Sequence, residues 1–152
     1  MHKLLLPVAA GALALTGCDF SESAAPAAPV SVSSIEVSNL TDRAWDDDGG
    51  PDVFVEIRTL SGRAFYRSAP IQDADVSTTL TFEVDEDVLA ISPTAPLIVA
   101  VFDMDDSLVH SDAMGYTSSF TPDDLASGDV ERMAGDATVT LRSAGVTAGG
   151  DL

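Results

Sequence analysis

Residues 97–102 read Leu-Ile-Val-Ala-Val-Phe, and this run decides the fold prediction. A short segment that is apolar at every position is typical of a strand buried on both faces. Asp103 and Asp105 follow the run directly, two residues apart. Because successive residues of a strand point to opposite faces, these two carboxylates should project the same way. The sequence therefore predicts a central strand that ends in paired carboxylates.

The rest of the chain predicts several more short strands around this one. Apolar and polar residues alternate over residues 30–37, 53–57, 80–84 and 137–141, and weaker candidates lie at 64–67 and 114–120. The alternation changes phase at Ser33 and Ser34, which predicts a bulge. One short helix is expected to begin at Pro122. Short strands separated by turn residues predict an all-β fold, an antiparallel sandwich of seven to eight strands.

The first residues carry the features of an export signal. A positive start at Lys3 is followed by an apolar run, residues 4–15, that is too short to span a bilayer. Leu15-Thr16-Gly17-Cys18 resembles the lipobox of bacterial lipoproteins. The resemblance implies cleavage before Cys18 and attachment of fatty acyl chains such as palmitate to this cysteine. The expected protein is exported and lipid-anchored to a bacterial membrane, at the periplasmic face or the cell surface.

These signals divide the chain into four segments. Residues 1–17 are the expected signal peptide, and residues 18–30 a disordered Ser/Ala/Pro tether that carries the lipid. Residues 31–144 are the expected sandwich, and residues 145–152 a flexible tail. Cys18 is the one cysteine of the sequence, so the mature chain can form no disulfide, zinc-thiolate site or cysteine nucleophile.

The charge balance excludes one class of partner. The chain has 25 acidic and 7 basic residues, and Lys3 is its single lysine. Nucleic acid is therefore not a partner, because phosphate binding needs lysine and arginine. The same balance argues against attraction to anionic lipid by charge alone. Two causes of the acidity stay open at this point: a saline habitat, or binding of a divalent cation.

The sequence predicts no catalytic residues. His110 is the one histidine that the mature chain would keep, and it is expected to lie at the surface. No nucleophile elbow, phosphate loop, dinucleotide fingerprint or zinc motif accompanies it. The prediction is a protein that is not an enzyme.

Aspartates follow or precede strong strands in two distant segments. The first segment, WDDDGGPDVFVEI, contains Asp46 and Asp52, and the second, VAVFDMDDSLVHSDAMG, contains Asp103, Asp105 and Asp112. Such carboxylates would repel one another if they pointed inward without a cation among them. Calcium accepts six to eight oxygen ligands in flexible geometry. The alternative is simple solvation of loops in an acidic protein.

The two segments resemble the calcium loops of the C2 domain, the calcium-dependent phospholipid-binding sandwich. Asp46, Asp52 and the strand after Asp52 match the first loop, and Asp103-Met104-Asp105 with Asp112 match the third. The resemblance implies a C2-like sandwich whose calcium ligands are Asp46, Asp52, Asp103, Asp105 and Asp112. It also implies membrane or partner contacts near the loop tips, for which Trp45, Leu108 and Val109 are the candidates.

The sequence departs from the C2 pattern in four places, one of which is a loop between Asp105 and Asp112 that differs from the family's by about one residue. Val53 stands where the family has proline, residues 71–79 replace an Asn-Pro-containing stretch, and no lysine-rich strand exists to bind phosphoinositides. The predicted function is calcium binding that mediates attachment to lipid, glycan or protein at the cell envelope. The alternative is a metal-independent structural or interaction module with an acidic surface.

Overall fold

The computed structural model describes residues 31–41, 49–84, 95–107 and 110–144. Within these ranges the chain forms eight strands and one short helix. In chain order the elements are β1 (Val32–Ser38), β2 (Val53–Thr59), β3 (Ala64–Arg67), β4 (Leu80–Glu83), β5 (Leu97–Ser107), β6 (His110–Tyr116), α1 (Pro122–Ala126), β7 (Val130–Ala134) and β8 (Ala137–Ser143). No helix of the described residues has the length and apolar character needed to cross a bilayer.

The strands form two four-stranded sheets. The strand order is β4-β1-β8-β7 in the first sheet and β3-β2-β5-β6 in the second, and every pair is antiparallel. The apolar run at residues 97–102 lies in β5, between β2 and β6, as its lack of a polar face predicts. The predicted bulge is also confirmed, since the β1–β8 register shifts between Val32 and Ser34. The antiparallel sandwich inferred from the sequence is therefore correct.

The core lies between the two sheets. Alternate residues of the inner strands point into it, and Phe120 and Leu125 add two large side chains from the segment that follows β6. Burial of an aliphatic side chain contributes about 1.5–3 kcal/mol, so this layer is the main stabilising feature of the fold. The fully buried members from the sheets include Ile35, Val37, Val55, Ile57, Val99, Val101, Val139 and Leu141.

Two strand predictions need correction. Strand β7 is missing from the sequence prediction, because Arg132 lies between its buried residues Val130 and Ala134 and hides the apolar alternation. Strand β6 runs from His110 to Tyr116, whereas the sequence predicted a strand over residues 114–120. It therefore begins four residues earlier than predicted. The helix begins at Pro122 as predicted, and its first turn is closed by the Thr121 N–H, which donates to Asp124 Oδ2 at 2.7 Å.

The two ends of the sandwich differ in what they gather. At one end lie the start of β2 and the β5–β6 hairpin, which we call the aspartate end. Leu40, just after β1, also lies at the aspartate end, because Leu40, Met114 and Ala137 line one surface depression. At the opposite end lie Ser31, where the described chain begins, and the β2–β3 turn. We call this second end the entry end.

A contact between the sheets fixes this assignment. The hydroxyl of Tyr66, on β3, donates to the backbone oxygen of Glu83 at 3.0 Å. Glu83 is paired with Ser34 near the start of β1, so the β2–β3 hairpin and the start of β1 lie toward the same end. Strand β1 then runs about 20 Å to the aspartate end, at about 3.3 Å per residue.

Candidate functional site

Strand register aligns three of the expected ligands at the aspartate end. Asp103 lies between Val53 on one neighbouring strand and Asp112 on the other. Residues directly opposite in an antiparallel pair have Cβ atoms about 4.5–5.5 Å apart, so Asp103 and Asp112 are close neighbours. Asp52 immediately precedes Val53. Two segments that are distant in sequence therefore place aspartates side by side.

Asp103 is the most enclosed of these carboxylates. It follows Val99 and Val101 on the inner face of β5, and it is fully buried. The backbone N–H of Asp52 donates to Asp103 Oδ1 at 2.8 Å, and the Met104 N–H donates to the Asp52 backbone oxygen at 2.9 Å. Hydrogen bonds to an ionised carboxylate are stronger than neutral ones. The Asp103 carboxylate, at the end of the buried part of β5, therefore holds the start of β2 in place.

A further aspartate, Asp73, lies at the same place and was missed by sequence reasoning. Its N–H donates to Asp52 Oδ1 at 2.9 Å, and its backbone has a positive φ of 48°. A Cβ atom on Gly49 would lie 2.5 Å from Asp73 Oδ1, so glycine permits this close approach. The available signal was the pair Asp73 and Asp75 within residues 71–79, the stretch that departs from the C2 pattern.

Asp75, in contrast, is used by its own turn. Its Oδ1 accepts hydrogen bonds from the Ser77 hydroxyl at 2.6 Å and the Ser77 N–H at 3.0 Å. These bonds, led by that from the hydroxyl, hold the pKa of Asp75 below its ordinary value. The Asp75 carboxylate therefore stabilises the connection before β4.

Two of the expected ligands, Asp105 and Asp112, lie on strands rather than in the loop between them. Asp105 belongs to β5 and Asp112 to β6, and both side chains are exposed. Strand pairing continues to Ser107 and His110, which leaves only residues 108 and 109 between the paired positions. In the part of the chain that the structure describes, no three Asp, Glu, His or Cys side chains form a group close enough to hold a metal ion. The aspartates are neighbours along a sheet end rather than a closed cage.

Several predicted residues lie outside the described ranges. They include one expected ligand, three expected contact residues and the lipidation site: Asp46, Trp45, Leu108, Val109 and Cys18. The expected signal peptide, tether and tail, residues 1–17, 18–30 and 145–152, also lie outside them.

A second charged cluster lies on the outer face of the β3-β2-β5-β6 sheet. Glu56 is fully buried there and forms ion pairs with Arg58 and Arg67. The Arg58 guanidinium lies 4.8 Å from the centre of the Phe102 ring, and that of Arg67 lies 5.4 Å from the centre of the Phe54 ring. The alternation of the sequence placed this side of β2 toward solvent, yet two arginines and the rings cover it.

The stacked rings complete this outer layer. Phe54 and Phe102 stack with centroids 5.1 Å apart and planes inclined by 17°. Tyr116 meets Phe102 edge-on, with centroids 6.0 Å apart. Offset stacking and edge contacts are the favourable arrangements of aromatic pairs. The cluster joins β2, β3, β5 and β6 and so rigidifies the sheet that carries Asp52, Asp103 and Asp112.

Comparison with known proteins gives similarity in fold alone. No protein-family model matches the sequence, and no curated protein matches it. The solved structure "BON1-C2B" is similar, with a TM-score of 0.55 and 12% identity over 80% of this chain and 94% of that one. A C2 domain of plant extended synaptotagmin 1 gives a TM-score of 0.39 and 17% identity, covering 74% and 95% of the two chains.

A longer solved structure is also similar to this chain over part of its own length. A segment of extended synaptotagmin 2 that contains an SMP domain and two C2 domains gives a TM-score of 0.41 and 15% identity, covering 76% of this chain and 28% of that one. Two four-stranded antiparallel sheets that superpose on that domain over most of both chains establish a C2-like β-sandwich.

Proposed function

We propose that this chain is a lipid-anchored envelope protein whose C2-like domain binds calcium at the aspartate end. The observation that carries the proposal is the register that places Asp103 beside Asp52 and opposite Asp112. A fully buried carboxylate with acidic neighbours is costly to ionise unless a cation or hydrogen bonds compensate it. Calcium at this sheet end would add to the compensation that the Asp52 N–H already gives Asp103.

The donor set fits calcium by its chemistry. All candidates are carboxylates, and calcium prefers hard oxygen ligands in flexible numbers. Asp105 and Asp112 are exposed, so their side chains can turn toward Asp103 without breaking the core. Asp46, which the C2 resemblance adds, would contribute from the other segment. In this proposal the ion draws together side chains that are otherwise only neighbours.

Attachment is the proposed outcome, without a catalytic step. Lipidation at Cys18 would hold the protein on a membrane, since two or more acyl chains give stable anchoring. Calcium would then fix the β2 start and the β5–β6 hairpin so that they present a defined surface. The proposed partners are a phospholipid head group, a glycan or an envelope protein.

Thermal melting of residues 19–152 with calcium and with chelator tests the metal site. This segment retains every described strand. For a dissociation constant near 10⁻⁴ M, about 10 mM calcium should stabilise the fold by about 2.7 kcal/mol. The double variant Asp103→Asn, Asp105→Asn should lose the calcium-dependent shift. Asparagine at position 103 keeps an oxygen that can accept the Asp52 N–H, so the variant removes charge with little loss of structure.

A matched control distinguishes ligation from bulk charge. The variant Asp123→Asn, Glu131→Gln also removes two negative charges, from exposed positions on α1 and β7. It should keep the full calcium shift. An equal loss in both variants, or no shift in the wild type at millimolar calcium, would instead support the metal-independent module. Lipid anchoring is tested separately by detergent partitioning of the exported protein and of Cys18→Ser.

A further inference from the structure

We propose that the sandwich is built to resist tension between its N-terminal side and the aspartate end, with β1 as the strand that carries the force. The same fold should open easily when force is applied through its two ends. The inference goes beyond calcium binding. Its role in the cell rests on the proposed lipid anchor and attachment site, whereas the mechanical difference between the two directions follows from the strand geometry alone.

Strand β1 is the first element that a pull from the N-terminal side reaches. It begins one residue after Ser31, at the entry end, and runs to Ser38 at the aspartate end. It is a central strand of its sheet, paired with β4 over Ser34–Val37 and with β8 over Val32–Ser38. A pull from the entry end against resistance at the aspartate end is therefore directed along β1.

Force along β1 loads its backbone hydrogen bonds together, because the bonds of antiparallel strands lie perpendicular to the strand direction. These bonds extend to the start of the strand. The Val84 N–H donates to the Ser33 oxygen at 2.9 Å, and the Ala144 N–H donates to the Ser31 oxygen at 3.0 Å. Sliding by one residue would also move the fully buried Ile35 to the outer face. Strand β1 can therefore move only if many contacts break at once.

Arg142 adds a side-chain link between β1 and β8. Its guanidinium donates to both carboxylate oxygens of Glu36, at 3.0 and 2.6 Å, and to Asp129 Oδ2 at 2.7 Å. The Ser33 hydroxyl donates to the Arg142 backbone oxygen at 3.3 Å. A two-pronged arginine–carboxylate contact has a fixed geometry. Movement of β1 past β8 would break it, so the link resists force in the same direction as the backbone bonds.

A pull through the two ends of the chain meets a different arrangement. Ser31 and Ala144 are hydrogen-bonded neighbours at the starting edge of the β1–β8 pair. Force applied to these two residues is directed across the strands. It loads the bond between them first and the following bonds one after another. The contacts that act together in the first direction act singly in the second.

Single-molecule force spectroscopy of residues 19–152 in excess chelator tests the proposal. One variant is held at its N-terminus and at Ser111→Cys, on β6 near the tip of the β5–β6 hairpin. The other is held at its N-terminus and at Leu152→Cys. Each introduced thiol is unique, because this segment lacks Cys18. The mean unfolding force should be roughly twofold higher or more for the Ser111 attachment, since forced unfolding depends on the barrier in the pulled direction.

Controls separate geometry from stability. Both attachment variants should have the same melting temperature, so that a difference in force reflects direction alone. Arg142→Gln should lower the force for the Ser111 attachment, whereas Arg132→Gln, which removes a contact with Asp124 on α1, should leave it close to wild type. Equal forces in the two directions, or a higher force through the two ends, would overturn the proposal. Because chelator is present throughout, failure of the calcium proposal would not change this result.

Discussion

The backbone N–H of Asp52 and the buried carboxylate of Asp103 are joined by a 2.8 Å hydrogen bond. This bond links the first residue before β2 to the inner face of β5, and it makes Asp103 structural as well as a candidate ligand. Removal of its charge and removal of its oxygen should therefore have different effects.

We expect Asp103→Ala to lower the free energy of unfolding by about 1–3 kcal/mol in chelator, because the Asp52 N–H loses its acceptor. Asp103→Asn should cost clearly less, since an acceptor oxygen remains and a buried charge is removed. Urea unfolding followed by circular dichroism measures both. If the asparagine variant is as unstable as the alanine variant, the charge of Asp103 stabilises the calcium-free fold instead of repelling its acidic neighbours.

The buried Glu56 should be the most sensitive charged residue outside the aspartate end. Glu56→Ala leaves Arg58 and Arg67 without their shared carboxylate. We expect a loss of about 2 kcal/mol, less than the roughly 3–5 kcal/mol for fully buried ion pairs, because both arginines can be rehydrated. Urea unfolding checks it, with Glu131→Ala on β7 as the exposed control. A loss no greater than that of the control would mean that the aromatic stack alone holds the outer layer.

Two glycines should respond differently to alanine. A Cβ atom on Gly115 would lie 2.4 Å from the backbone oxygen of Ala134, so the β6–β7 contact would have to open. Gly62 has a positive φ of 89° but open space around it. We expect Gly115→Ala to cost about 2–3 kcal/mol from overpacking and Gly62→Ala about 1 kcal/mol from backbone strain. Melting temperatures of the two variants rank them, and the reverse order would contradict the close approach.

Acid should weaken the fold through Arg142. Its guanidinium donates to Glu36 Oε2 at 2.6 Å and to Asp129 Oδ2 at 2.7 Å, and these hydrogen bonds lower the pKa of both carboxyls. A lowered folded-state pKa gives stability that is present above the unfolded pKa, near 4, and is lost as pH falls through the folded value. The free energy of unfolding should therefore decrease from about pH 5 toward pH 3.

The variant Arg142→Gln should reduce this pH dependence without removing it. Hydrogen bonds also lower the pKa of Asp75 and Asp124, and those bonds remain in the variant. Urea midpoints measured at intervals from pH 6 to about pH 3 give the slope. Arg63→Gln, at an arginine that forms no ion pair with the described acids, is the matched control and should keep the wild-type slope. An unchanged slope in Arg142→Gln would assign the acid sensitivity to other carboxylates.

Alternation revealed the strands whose buried face is continuous. It failed for β7, where Arg132 shares a face with Val130 and Ala134, and it misplaced the start of β6, where a register shift near Phe102 breaks the pattern. Alternation also does not reveal that Glu56 is buried, because the cover comes from two arginine side chains that fold over their own sheet. Long-range pairing decided each of these features.

The candidate site was also predictable only in part, because long-range pairing brings some of its residues together. The spacing of Asp103 and Asp105 after a buried strand indicated one face, and the C2 resemblance paired them with Asp52. Asp73 reaches the site through a positive φ and a glycine neighbour, and neither leaves a pattern that alternation detects. The net charge is a sum over the whole chain, so it did not indicate that three arginines lie together on the β2–β3 hairpin.

The first and last described residues leave the sandwich side by side, since the Ala144 N–H donates to the Ser31 oxygen at 3.0 Å. A domain with adjacent termini can be inserted into a surface loop of a host protein without pulling the host apart. This fold could therefore serve as a cassette, carried by either terminus or by both, with its aspartates held outward about 20 Å from the junction.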